Sequence, residues 1–177
     1  DALLISEHVT PAHEDAIGQV CKKLKLPRDA ITAFINSSAE INAGSLSVDP
    51  NECVLTFTSG LVNLLSIEEF TFILGHELGH FLMQHYLNRS EDGDSIEHFM
   101  RKKYQEISAD RIGYVVAKND STAMGAMIKT MSGLESAHLR LDVGKFISQN
   151  SLKSKEDTGG DMWSTHPSML IRCRALL

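Results

Sequence analysis

Nowhere in the 177 residues does an apolar run approach the roughly 18 that a bilayer-crossing helix needs. The opening "DALLISEHV" also lacks the basic stretch that begins a secretory leader. These absences place the chain with soluble proteins of the cytoplasm or periplasm without choosing between the two, and a start at Asp1 rather than Met suggests a trimmed or processed fragment. Positive charge is scarce as well. With 17 Lys and Arg against 23 Asp and Glu, a net charge of −6 gives no electrostatic reason to expect a nucleic-acid partner. The three cysteines, Cys21, Cys53 and Cys173, are far apart, odd in number and free of Cys-x-x-Cys spacing. They read as buried free thiols rather than a disulfide framework. No internal repeat or second domain is visible, so residues 1–177 are expected to form a single domain, with an ordinary globular balance of 42% hydrophobic and 23% charged residues.

Against this plain background the order of elements is legible. Pro11 opens a segment with apolar positions at Ala16, Ile17, Val20 and Leu24, an amphipathic helix that Pro27 ends. "AITAFIN" and "CVLTFT" alternate and are rich in β-formers, and "NAGSLS" is a weaker third strand. Ser66 and Glu69 form a capping box from which a helix should run to about Tyr86. After the acidic loop "NRSEDGDS", Ser95 can cap a second long helix to about Lys118. Further helical patterns cover roughly residues 121–131 and 134–149, followed by the polar loop "SLKSKEDTGGD" and the final "MWSTHPSMLIRCRALL".

The first of the two long helices carries "GHELGHF". Four helical residues turn 400°, so His76 and His80 lie about 40° apart on one face and about 6 Å apart along the axis, within reach of one metal ion. Glu77 flanks the same stripe, where a carboxylate can act as general base on a water without displacing the ligands. The rest of the segment, Phe70, Phe72, Ile73, Leu74, Leu78 and Phe81, leaves almost no polar face, so the helix should be buried. A buried carboxylate beside two imidazoles requires compensation, and a bound cation compensates all three together. Gly75 and Gly79 each lower helix propensity by about 1 kcal/mol, which points to another element packed closely against them.

A catalytic zinc keeps three protein ligands and one open position, so a third ligand is needed. The spacing H-E-x-x-H-x-x-G-x-x-H fails, because Met83 and Tyr86 occupy its last two positions. His85 is out of phase with the metal face and reads as an ordinary polar residue near the helix end. Downstream, "QEISADRIG" sets Glu106 and Asp110 on one face of the second helix, continued by the small residues Gly113 and Ala117. There Glu106 would ligate, and Asp110 would accept an N–H from a ligating histidine and fix its orientation. A merely solvated acidic face is the alternative at this pair.

Together, "FILGHELGH", "EISADRIG" and "STHPSMLIRCRAL" resemble the gluzincin metallopeptidases of the HtpX and CAAX prenyl endopeptidase type. "INAGSLS" and "LTFTSGLVNLLSIEEF" are similar to the strand and the strand-plus-helix preceding the zinc helix in that family, so the resemblance covers roughly residues 35–177. It implies one Zn²⁺ on His76, His80 and Glu106, Glu77 as general base and Asp110 as the group that orients a ligand. It sets the family's His-Pro motif on His166-Pro167 and its following arginine on Arg172. The implied fold is α+β and zincin-like: a small mixed sheet packed on a mostly helical domain, whose HExxH helix runs antiparallel to an ExxxD helix. Asn42 would stand on the edge strand that receives substrate backbone by β-addition. His166 could donate to the oxyanion of a tetrahedral intermediate or be a structural histidine; Arg172 could pair with Asp110 or be an exposed helix residue. Trp163 reads as core. Many relatives carry transmembrane helices, and this chain departs from them there.

These readings converge on a zinc-dependent endopeptidase acting on peptides or unfolded proteins. The alternatives are a regulatory metalloprotein of the ImmA/IrrE-like group, which also carries an H-E-L-G-H helix, and a non-catalytic metal-binding or holdase domain.

Overall fold

Alternation of inward and outward side chains builds the sheet first. In the computed structural model, which describes residues 1–87, 95–153 and 167–176, four strands pair: β1 Ala2–Leu4, β2 Ile31–Asn36, β3 Ala43–Asp49 and β4 Glu52–Thr58. Their order is β1-β2-β4-β3, with β2 parallel to β4 and both outer strands antiparallel to their neighbours. Ile31, Ala33, Cys53, Leu55 and Phe57 point to one face and are buried there, as the period of two requires. The sheet is therefore mixed, and β3 lies on an edge. β1 has no forerunner in the sequence reading, because three exposed residues carry no alternation and gain their pairing only from β2.

The helices are α1 Pro11–Leu24, α2 Ser59–Leu64, α3 Ile67–Leu82, α4 Ile96–Ala117, α5 Asp120–Ser132, α6 Val143–Lys153 and α7 Met169–Leu176. α3 begins with the expected capping box: Ser66 Oγ accepts from Glu69 N–H, and the Glu69 carboxylate accepts from Ser66 N–H. Ser95 caps α4 by accepting from His98 N–H. α3 touches α1, α4, α5 and β3, which is why its sequence is apolar all round. The coarse class, a small mixed sheet with a mostly helical remainder, agrees with the sequence reading.

Two helix boundaries differ from expectation. α3 stops at Leu82 rather than near Tyr86, since Gln84 adopts a left-handed conformation (φ 52°) and a 3-10 turn follows at His85–Leu87. No Gly or Pro announces that stop, so the apolar period reads straight through it. α6 starts at Val143 rather than Leu134, because the Asp142 carboxylate accepts from Lys145 N–H and caps the later start. The acidic loop at 88–94 and the polar segment 154–166 lie outside the described residues.

Candidate metal centre

Small residues bring α3 and α4 together. A Cβ placed on Gly75 would lie 2.9 Å from Gly113 Cα, and one on Gly79 would lie 3.1 Å from Ala109 Cα. On Gly113 it would meet the Phe72 carbonyl oxygen at 2.7 Å. Contact thus descends along α4 as it ascends along α3, so the helices are antiparallel and close enough that side chains of α4 face the histidines of α3. Glu106 and Asp110, one turn apart, are on that seam with Gly113.

The imidazoles and the carboxylate converge as a result. His76 Nε2 and His80 Nε2 are 3.2 Å apart, His80 Nε2 is 3.4 Å from Glu106 Oε1, and His76 Nε2 is 3.7 Å from Glu106 Oε2. Ligand atoms about 2.0 to 2.1 Å from a tetrahedral centre sit about 3.3 Å from one another, so the three donors are already spaced for one ion. His76, His80 and Glu106 are the group among the described residues that can hold a metal.

Behind the donors lies a second row. His76 Nδ1 is 2.9 Å from Asp110 Oδ1, and Asp110 is fully buried. From α7, Arg172 donates through Nε to Asp110 Oδ2 at 2.7 Å and through Nη2 to Asp110 Oδ1 at 2.6 Å. This bidentate pair resolves the alternatives left at both positions: Asp110 is not on a solvated face, and Arg172 is not an exposed helix residue. Burial opposes the charge on Asp110, but Arg172 and His76 hold its carboxyl below the ordinary range. Burial likewise opposes charge on Glu106, and contact with His80 together with the charges of His76 and Arg172 brings it down to about 2. Burial acts to discharge His76, yet Asp110 outweighs it and raises the imidazole above its ordinary value. Arg172 Nη2 also lies 3.8 Å from Glu106 Oε2, so one guanidinium faces both carboxylates of α4.

A cleft of about 750 Å³ opens onto these donors. Glu77 lines it beside His76, nearly buried, and no side chain among the described residues hydrogen-bonds its carboxylate. Ala43, Ser45 and Ser47 of β3 also line the cleft, with Asn42 immediately before the strand. The Asn42 main chain is pinned by Thr58, whose N–H donates to Asn42 O and whose hydroxyl oxygen accepts from Asn42 N–H, both at 3.0 Å. His166 and Trp163 lie outside the described residues.

One residue departs from its sequence-based expectation. His85, expected to be an ordinary polar residue out of phase with the metal face, has its Nδ1 2.9 Å from Nδ1 of His80. The left-handed Gln84 swings the chain back beneath α3, a move that helical periodicity cannot foresee.

Comparison with known proteins bears on what this constellation is. The family model described as Peptidase family M48 matches residues 8–101, more than half of the chain, including α3 with His76, Glu77 and His80. The chain belongs to peptidase family M48. Among curated proteins it is similar to a "Protease HtpX homolog" of Methanocaldococcus jannaschii, 30% identical over 80 residues that cover 45% of this chain and 28% of that protein. A "Protease HtpX homolog" of Thermodesulfovibrio yellowstonii is likewise 30% identical, over 76 residues covering 43% of this chain and 26% of that protein. The matched region is thus little more than a quarter of the length of these relatives. Glu106, Asp110 and Arg172 lie beyond the span of the family match, and it is the packing of α4 and α7 on α3 that brings them to its histidines. No helix among the described residues is long and apolar enough to cross a membrane.

Proposed function

We propose that the chain is a zinc-dependent endopeptidase of zincin-like architecture, in which His76, His80 and Glu106 hold the metal and Glu77 is the general base. The observation that carries this reading is the spacing of the three donors, which fits one tetrahedral ion while Glu77 stays outside the ligand set and faces the cleft. Zinc held by these residues would supply a Lewis acid to polarise a carbonyl and lower the pKa of water to about 7. Glu77 accepts the proton of the attacking water and returns it to the leaving amine. Asp110 accepts the Nδ1–H of His76 and so turns its Nε2 lone pair toward the metal position; Arg172 keeps Asp110 ionised and fixed. The outer edge of β3 beyond Asn42, which pairs with no other strand among the described residues, takes the extended substrate backbone by strand addition. His166 donates to the developing oxyanion, as the resemblance of "STHP" to the family's motif implies. All 177 residues act as one peptidase unit on peptides or unfolded protein.

Metal analysis after dialysis against zinc tests the ligand set. Wild type should retain one zinc per chain, and His76→Ala, His80→Ala and Glu106→Ala should each lose it along with the thermal stabilisation that the metal confers. Stoichiometric zinc in Glu106→Ala would remove it as third ligand.

A further inference from the structure

We infer that His85 is a positioning residue for the metal site: it accepts the Nδ1–H of His80 and thereby leaves the Nε2 lone pair of His80 bare toward the metal position. The inference rests on the ligand set proposed above.

Proton counting along a short relay carries it. Only one proton fits between His80 Nδ1 and His85 Nδ1 at 2.9 Å, so one ring donates and the other accepts. The direction is set at the far end. Ser108 Oγ lies 3.3 Å from His85 Nε2, and its hydroxyl donates to the Gln105 carbonyl at 2.9 Å. With its proton committed there, Ser108 offers a lone pair, and His85 therefore carries its own proton on Nε2. His85 Nδ1 is then the acceptor, and His80 is the Nδ1–H tautomer. The competing arrangement places the His80 proton on Nε2, toward His76 Nε2 at 3.2 Å or Glu106 Oε1 at 3.4 Å, both longer than the 2.9 Å contact to His85 and both blocking ligation.

The main chain holds the relay in place. Gln105 Nε2 donates to the His85 carbonyl at 3.4 Å, and the left-handed φ of 52° at Gln84 returns His85 to the underside of α3. A non-glycine residue in that conformation persists where its surroundings over-determine it, which agrees with a turn kept for what it positions. Both histidines of the HExxH helix then follow one rule, each presenting Nε2 to the metal because an acceptor holds its Nδ1–H: Asp110 for His76, His85 for His80. The two acceptors differ in kind. Asp110 is an anion neutralised by Arg172, whereas His85 is an uncharged ring whose second nitrogen is occupied by a hydroxyl.

The test joins a tautomer measurement on the metal-free chain to zinc affinity. Nitrogen-15 histidine NMR at mildly alkaline pH should find His80 protonated on Nδ1 in wild type and shifted toward the Nε2–H form in His85→Leu. Chelator competition should show zinc affinity falling about 10 to 100-fold in His85→Leu. His85→Asn, whose side-chain oxygen stands where Nδ1 stood, should recover most of that loss, which a filler of space alone would not do. Should His85→Leu fail to fold, Ser108→Ala, which frees His85 to change tautomer, should still move the His80 equilibrium. An Nε2-protonated His80 in metal-free wild type, or wild-type zinc affinity in His85→Leu, would overturn the relay. Wild type that binds no zinc would instead refute the ligand set, and the tautomer measurement would still decide the relay.

Discussion

Replacing Gly113 by Ala perturbs the seam between α3 and α4 with a single methyl group. In an open helix this substitution stabilises by about 1 kcal/mol, because alanine loses less backbone entropy on folding. At Gly113 the new Cβ would lie 2.7 Å from the Phe72 carbonyl oxygen and within 3.2 Å of the Phe72 ring, well inside the 3.4 Å at which ordinary contact begins. The carbonyl is main chain within α3 and cannot turn aside, so the helices must separate by several tenths of an ångström. Overpacking of this kind costs about 1 to 3 kcal/mol, which cancels that gain and leaves a net loss of up to about 2 kcal/mol, a fall in Tm of up to roughly 8 °C. Glu106 and Asp110 share the displaced face, so zinc affinity should also fall by about tenfold or more, at least 1.4 kcal/mol. Gly18 in α1 is the control, since a Cβ there would meet nothing within 4 Å. Urea unfolding of the metal-free proteins and chelator competition measure both effects. If Gly113→Ala gains stability as Gly18→Ala does and keeps its zinc affinity, close helix approach is not what assembles the site.

Two further outcomes follow from buried groups. Arg172→Leu strands the fully buried Asp110 carboxylate and should destabilise by about 3 to 5 kcal/mol, and Arg172→Lys should recover little because an ammonium cannot span both oxygens; denaturant melts of the pair check this. The three cysteines should resist a thiol reagent until the chain unfolds, since burial raises all three thiols, Cys53 to about 12 and Cys173 to about 11; a fast-reacting thiol in native protein would contradict that.

How far the sequence could be read depended on whether a feature is local. Ser66 and Glu69 cap a helix through groups three residues apart, and His76 and His80 share a face by helical geometry alone, so both were legible. Glu106 and Asp110 were visible as a pair on one face, but only the packing of α4 on α3 distinguishes a buried seam from a solvated one. Arg172 reaches Asp110 from 62 residues away, and its pairing came from family resemblance rather than from any local pattern. His85 escaped altogether. Its role hangs on one left-handed residue, Gln84, that carries no glycine to mark it, so a period of 3.6 placed His85 on the wrong side of a helix that had already ended.

The central claim is that Glu77 performs the proton transfers of peptide hydrolysis at a metal it does not hold. Its most direct test is casein degradation by wild type and Glu77→Gln at equal, measured zinc content. The amide keeps the shape and removes the base, so the account predicts full zinc occupancy with hydrolysis lowered by about 10²-fold or more. Equal hydrolysis by the two proteins would contradict it.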